Sequence, residues 1–220
     1  MPDTPRIALI HALAHSVAPI NEAFDRLWPD CVRMNVLDDS LSADLAMGRA
    51  KIDNGMTSRF IALATYAVRT EASGILFTCS AFGPCIQEVA HRFPTIPVLK
   101  PFDGMVADAV ETGRKIGLVA SFAATLDLMP REFPAGTALE PLLAEGALAA
   151  LDAGDTAGHD ALVVAAARRA AALGCGVVAL AQFSMARAAP AVAAAVDLPV
   201  LTTVDSAVKL LRRRHARPLI

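Results

Sequence analysis

The sequence predicts an α/β protein with parallel sheets, and three observations carry the prediction. Short apolar runs of four to seven residues recur between Ala-rich amphipathic stretches along all 220 residues. The runs are apolar throughout and do not alternate, as strands covered on both faces are. The two halves share a plan of strands alternating with helices, although no sequence repeat joins them, and such alternation implies parallel pairing.

Seven strands are expected in order: Arg6–His11, Val32–Leu37, Ser73–Thr78, Ile96–Leu99, Lys115–Ala120, Gly176–Ala181 and Leu198–Thr202. Each is β-compatible and bounded by Gly, Pro or a polar residue. The first follows Met-Pro-Asp-Thr-Pro-Arg, whose acid and two prolines make the run Ile7 to Ile10 a strand rather than the core of a signal peptide. Helical patterns fill the intervals at Val17–Leu27, Gly48–Arg69, Pro84–Arg92, Gly104–Thr112, His159–Leu173 and Arg187–Ala195. Near residue 113 the helix ending Glu111-Thr112-Gly113 gives way to Lys115-Ile116-Gly117-Leu118, a natural boundary. The expected organisation is an N-terminal α/β lobe over 1–112 carrying Cys79 and a C-terminal α/β lobe over 113–202 carrying Gln182. A final helix over 203–220 is expected to pack back on the first lobe.

Composition excludes several classes. With 55% hydrophobic and 19% charged residues the chain is not of the disordered type. A net charge of -2 leaves no basic excess for phosphate backbones, so nucleic acid is not an expected partner. The cluster Arg212-Arg213-Arg214 reads as a solvated helix end. Four cysteines (Cys31, Cys79, Cys85, Cys175) form no C-x-x-C pair, so neither a disulfide framework nor a zinc site is expected. The longest uncharged stretch, Ala170 to Ala186, is interrupted by Gly174, Gly176, Gln182 and Ser184 and is too short and polar to span a bilayer. A cytoplasmic protein with reduced thiols and no membrane partner is expected.

In open α/β sheets ligands bind beyond the carboxyl ends of the strands. Those ends carry His11, Asp38-Asp39, Cys79-Ser80, Lys100, Ser121, Gln182-Phe183-Ser184 and Thr202-Thr203. The most informative segment is Gly74 to Cys85, in which a buried strand delivers Cys79 to its edge and a Gly83-Pro84 turn opens a helix. A thiol facing a helix N-terminus meets unpaired N–H groups that stabilise its thiolate, and would equally stabilise a bound carboxylate. The competing reading is a small buried hydrophobe. Cys31, Cys85 and Cys175 read as packing, although Cys79 and Cys85 flank one turn and a redox pair is a third possibility.

This segment resembles the first cysteine motif of the aspartate/glutamate/hydantoin racemase superfamily. Three further stretches resemble its pattern in the same order: Lys115 to Thr125, Gly176 to Met185, and Leu198 to Val208. The resemblance implies two similar Rossmann-like lobes, an active site in the cleft between them, no metal or organic cofactor, and a homo-oligomer. It implies racemase or isomerase chemistry on a small carboxylate-containing substrate, with one cysteine on each side of the α-carbon. Cys79 takes the first position and Gln182, which is no acid or base, stands at the second. His11, whose imidazole titrates near neutrality, is a candidate for the missing catalytic group, against a structural reading. Ser80, the backbone of Ala81, Ser121 and Thr125 resemble the family's carboxylate cradles, against simple helix capping. Gln182, Phe183 and Ser184 are expected to line the substrate site. Phe82 is expected to shape an apolar pocket or join the core, Asp205 to cap the last helix, and Lys100 to be a solvated charge. Cys79 alone is also compatible with a decarboxylase of the arylmalonate decarboxylase kind, or with a carboxylate-binding protein that has lost catalysis.

Overall fold

The computed structural model describes residues 4–216; residues 1–3 and 217–220, the two ends of the organisation expected above, lie outside the described residues. The chain folds as two units, one running to Asp103 and resuming at Ala207, the other Gly104–Ser206. The sequence reading put these divisions at 112/113 and 202/203, so the helix beginning at Asp103 falls almost wholly in the second unit.

The first unit contains β1 (Arg6–His11), α1 (Val17–Leu27), β2 (Val32–Leu37), α2 (Ser40–Ala46), α3 (Asn54–Arg69), β3 (Gly74–Phe77), α4 (Gly83–Arg92) and β4 (Val98–Leu99). Its four strands are parallel in the order β2-β1-β3-β4. β1 shows why the strands lack alternation. Ala8 and Ile10 join a core with Phe60 of α3 and Ile86 of α4, while Ile7 and Leu9 on the opposite face are also fully buried. The helix expected from Gly48 begins only at Asn54. Gly48 lies at φ +67, outside helical space, and Asp53 caps the true start by accepting the Met56 N–H at 3.0 Å.

The second unit contains α5 (Asp103–Glu111), β5 (Ile116–Ala120), α6 (Ala123–Leu128), β6 (Leu139–Leu143), α7 (Ala147–Asp152), α8 (Thr156–Ala172), β7 (Val177–Leu180), α9 (Ala189–Ala195) and β8 (Val200–Thr202). Its strands are again parallel, in the order β6-β5-β7-β8. α10 (Thr203–His215) starts in this unit and continues into the first, where Arg212 donates to Leu27 O at 2.8 Å and His215 lies against Trp28 with ring centroids 5.7 Å apart.

β6 is absent from the sequence reading. Its segment Leu-Glu-Pro-Leu-Leu carries Pro141, which argues against a strand interior, but β6 is an edge strand and tolerates it. Ile116 N–H donates to Ala138 O and Ala144 N–H to Ala120 O. This register turns the even-numbered residues of β6 toward β5 and the Pro141 nitrogen away from the sheet. Gly117 has a different reason. A Cβ there would lie 2.6 Å from Ala170 Cβ, so the Ala-rich face of α8 rests directly on the β5 backbone. Ala166, Ala167 and Ala170 pack there with Val119, Val178 and Leu180.

Candidate active site

Strand order places the sites. In the first sheet the chain leaves β1 for β2 on one side and returns to β3 on the other, so the connections diverge between β1 and β3. Such a switch point leaves a crevice at the carboxyl ends of the two strands. His11 closes β1 there, and Thr78-Cys79 follow β3.

Cys79 keeps extended backbone angles (φ -118, ψ 124) and caps a 3-10 turn, Ser80–Phe82, that runs straight into α4 with Pro84 in its first turn. The half-buried thiol receives the backbone N–H of Ala81 and the Ser42 hydroxyl. Burial pushes its pKa above the ordinary value of 9.0, and these two hydrogen bonds pull only partly back. The resting group is therefore the neutral thiol, where the helix-terminus argument from sequence favoured the thiolate. Ile10, His11, Ala12, Leu41, Phe60 and Phe77 pack around Cys79 and leave no space there for a water molecule. Phe82 is core, fully buried with its ring 4.9 Å from that of Phe60. The Ser80 hydroxyl is half-buried and has no hydrogen-bond partner among the described residues; Ala81 is exposed.

His11 is fully buried, and both ring nitrogens are engaged. Nε2 lies 3.0 Å from Asn35 Oδ1; Nδ1 lies 2.9 Å from Thr78 Oγ1 and 3.0 Å from Ser16 Oγ. Asn35 Oδ1 also accepts from Asn21 Nδ2 at 2.9 Å, so it is an acceptor only and the ring proton sits on Nε2. Burial lowers the His11 pKa from 6.5, with the Asn35 hydrogen bond opposing. No lone pair is left facing a substrate.

The neighbouring charges are spoken for. Asp38 accepts from Arg59 at 3.1 Å and from Ser40, and although burial opposes it these bonds hold the carboxyl below its ordinary range. Arg59 also pairs with Asp44 of α2 at 3.1 Å, which ties α2, with Leu41 and Ser42, to α3. Lys100 Nζ lies 3.8 Å from Asp103 and 5.0 Å above the Phe102 ring, so it is a partnered charge and not simply a solvated one.

The second sheet repeats the arrangement, with its switch point between β5 and β7. Gln182 follows β7 as Cys79 follows β3, in extended geometry (φ -134, ψ 146) before a 3-10 turn, Phe183–Ala188. Its Oε1 accepts the Ser121 backbone N–H at 2.6 Å and the Ser121 Oγ–H at 3.0 Å. Thr125 is buried in α6, Phe183 is buried, and Ser184 is half-buried. At α10 Thr202 Oγ1 accepts the Asp205 N–H at 3.1 Å, so Thr202 caps the start of the helix.

Cys31 and Cys175 are buried in the core, where desolvation pushes Cys31 to about 11 and also raises Cys175. Cys85 is fully buried and accepts from Thr57 Oγ1 of α3 at 3.5 Å; all four thiols are free. Among the described residues no three His, Cys, Asp or Glu side chains converge as a metal ion would need, and no helix is long and apolar enough to cross a membrane. Ser42, Asn35, Ser16 and Thr78 were not singled out from sequence. Thr78 directly follows β3, but Asn35 lies within β2, Ser16 in the turn before α1 and Ser42 within α2, and what recruits them is contact made by the fold.

Residues 13–211 match the sequence profile of the Asp/Glu/hydantoin racemase family. Allantoin racemase from Klebsiella pneumoniae is similar in structure, with TM-score 0.73 and 17% identity over 95% of this chain and 86% of that one. An aspartate racemase homologue from Pyrococcus horikoshii has TM-score 0.72 and 12% identity, covering 96% of this chain and 99% of that one. Unliganded arylmalonate decarboxylase has TM-score 0.62 and 14% identity, covering 97% and 94%. At these identities the likeness establishes the fold. No curated protein matches the chain in sequence.

Proposed function

The chain belongs to the Asp/Glu/hydantoin racemase family, and from that premise we propose that it is a cofactor-independent enzyme of the racemase and isomerase kind, acting at the carbon next to a carboxylate or carbonyl, with Cys79 as its acid/base or nucleophile. The observation that carries the proposal is the setting of Cys79. It stands at a switch point, packed against Ile10, Ala12, Leu41, Phe60 and Phe77, with one backbone N–H and one hydroxyl on its sulfur.

That setting supports proton transfer in a definite direction. The neutral thiol is an acid. When it protonates a carbanionic α-carbon, the S–H bond breaks, a C–H bond forms and the electron pair stays on sulfur as thiolate. The Ala81 N–H and Ser42 hydroxyl are the groups that then hold the charge. The reverse step removes an α-proton. The free hydroxyl of Ser80 is a donor available to a substrate carboxylate. His11 is read as a positioning residue, since both of its nitrogens are occupied.

A second reading, a decarboxylase with a single thiol, is favoured by Gln182. A carboxamide neither gives nor takes a proton near neutral pH, so Gln182 supplies no second acid or base and this reading asks for Cys79 alone. In that case the carbon–carboxylate bond breaks, carbon dioxide leaves, its electron pair passes into an enediolate, and the Cys79 thiol protonates one face.

The test is incubation in heavy water with amino acids, hydantoins and substituted malonates, followed by proton NMR with Cys79→Ala as control. Cys79-dependent exchange with inversion supports the racemase reading. Deuterium on one face only, with loss of carbon dioxide, supports the decarboxylase. Exchange that survives in Cys79→Ala overturns both readings. Silence across the panel moves the reading to a carboxylate-binding protein.

A further inference from the structure

The hydrogen bonds at the second switch point fix which end of the Gln182 amide is available. A backbone N–H can only donate, so the atom 2.6 Å from Ser121 N is the carbonyl oxygen of Gln182 and not its nitrogen. Ser121 Oγ–H adds a second bond to the same oxygen at 3.0 Å. Both donors of Ser121, which the sequence reading offered to a substrate, are thus turned onto a side chain of the protein itself. Two bonds to one oxygen also lock the amide against rotation. The other half of the amide, Nε2, makes no hydrogen bond among the described residues, and the side chain is half-buried, so two N–H donors remain for a ligand.

We infer that Gln182 is a fixed hydrogen-bond donor for an anionic oxygen such as that of a carboxylate, and that Ser121 is the residue positioning it. The ligand class rests on the reading given under Proposed function; the orientation of the amide does not. An N–H aimed at an anionic oxygen forms a charge-assisted bond, stronger than a neutral one. It stabilises developing negative charge without exchanging a proton, which is a different task from that of a thiol at the same station.

The sequence contains two glutamines, Gln87 and Gln182, so protein labelled with ¹⁵N at glutamine side chains shows two NH₂ pairs, assigned by Gln182→Glu. Malonate is the probe. We expect millimolar malonate to shift the Gln182 pair saturably while the Gln87 pair stays still. Gln182→Glu keeps an oxygen for Ser121 but replaces the donor with a negative oxygen, and is expected to weaken malonate binding by at least about tenfold in calorimetry. Ser121→Ala should weaken it severalfold, and Ser121→Thr, which keeps the hydroxyl, should restore it. A Gln182 pair that does not move, or equal malonate affinity in Gln182→Glu, overturns the inference; should that variant not fold, the titration of the unaltered chain decides. Repeating the titration in Cys79→Ala separates the two claims. A moving Gln182 resonance with no Cys79-dependent chemistry refutes only the role of Cys79, and a still resonance beside active Cys79 chemistry refutes only this inference.

Discussion

Replacing His11 with alanine tests whether this residue holds the site together or handles protons. The imidazole is fully buried and gives up a bond from Nε2 to Asn35 and one at Nδ1 to the Ser16 and Thr78 hydroxyls. Two such bonds at about 1 kcal/mol each, plus the cavity left by a buried ring, come to about 3–5 kcal/mol. The two hydroxyls keep backbone acceptors, Leu13 O at 2.7 Å for Ser16 and Ile10 O at 3.4 Å for Thr78, which holds the loss to that range. Urea unfolding at pH 7.5 measures it. The sign with pH follows from the lowered pKa: the folded protein resists protonating a group that the unfolded chain protonates from pH 6.5 downward. The contribution is therefore complete above pH 6.5 and is lost as pH falls toward the folded value, at up to about 1.36 kcal/mol per pH unit. His11→Ala should lack that part of the acid limb. A loss below about 1 kcal/mol, the range of an ordinary surface substitution, together with an unchanged acid limb, would refute the positioning role.

Other outcomes follow from the same geometry. Alkylation of Cys79 by iodoacetamide should reach half its limiting rate only above pH 9.0, and Ser42→Ala should move that midpoint higher by removing one of the two bonds that favour thiolate; a midpoint below 9.0 contradicts the burial argument. Gly117→Ala should cost about 1–3 kcal/mol in urea unfolding, because its Cβ would overlap Ala170 Cβ at 2.6 Å. In an Ala170→Gly background the same change should cost less than in the unaltered chain, and equal costs would mean that α8 does not approach as described.

The parallel strands were legible because burial on both faces leaves an unbroken apolar run, and β1 and β2 match the sequence reading residue for residue. β6 was not legible, since Pro141 is tolerated only by a strand with one free edge and edge position is a property of the sheet, not the segment. Gly117 was visible as part of a motif, but its cause is a helix contact 53 residues further along the chain, at Ala170. The place of Cys79 after a strand was legible; its protonation was not, because burial by Leu41, Phe60 and Phe77 outweighs the turn that follows. That Gln182 is neither acid nor base follows from its residue type alone. Its pairing with Ser121 depends on two strand ends lying side by side, which local sequence does not report.

The turned-out nitrogen of Pro141 has a consequence for assembly. An edge strand ordinarily offers a row of N–H and C=O groups to any extended chain that drifts past, and the second sheet lacks the middle donor of that row. β2, the corresponding edge of the first sheet, has no such gap. Its residues Val32 and Asp38 bond inward to Pro5 O and His11 O, which leaves the N–H groups of Arg33, Asn35 and Leu37 facing outward. A strand added from another molecule, in a dimer or in a misfolded aggregate, therefore meets an intact template at β2 and an interrupted one at β6.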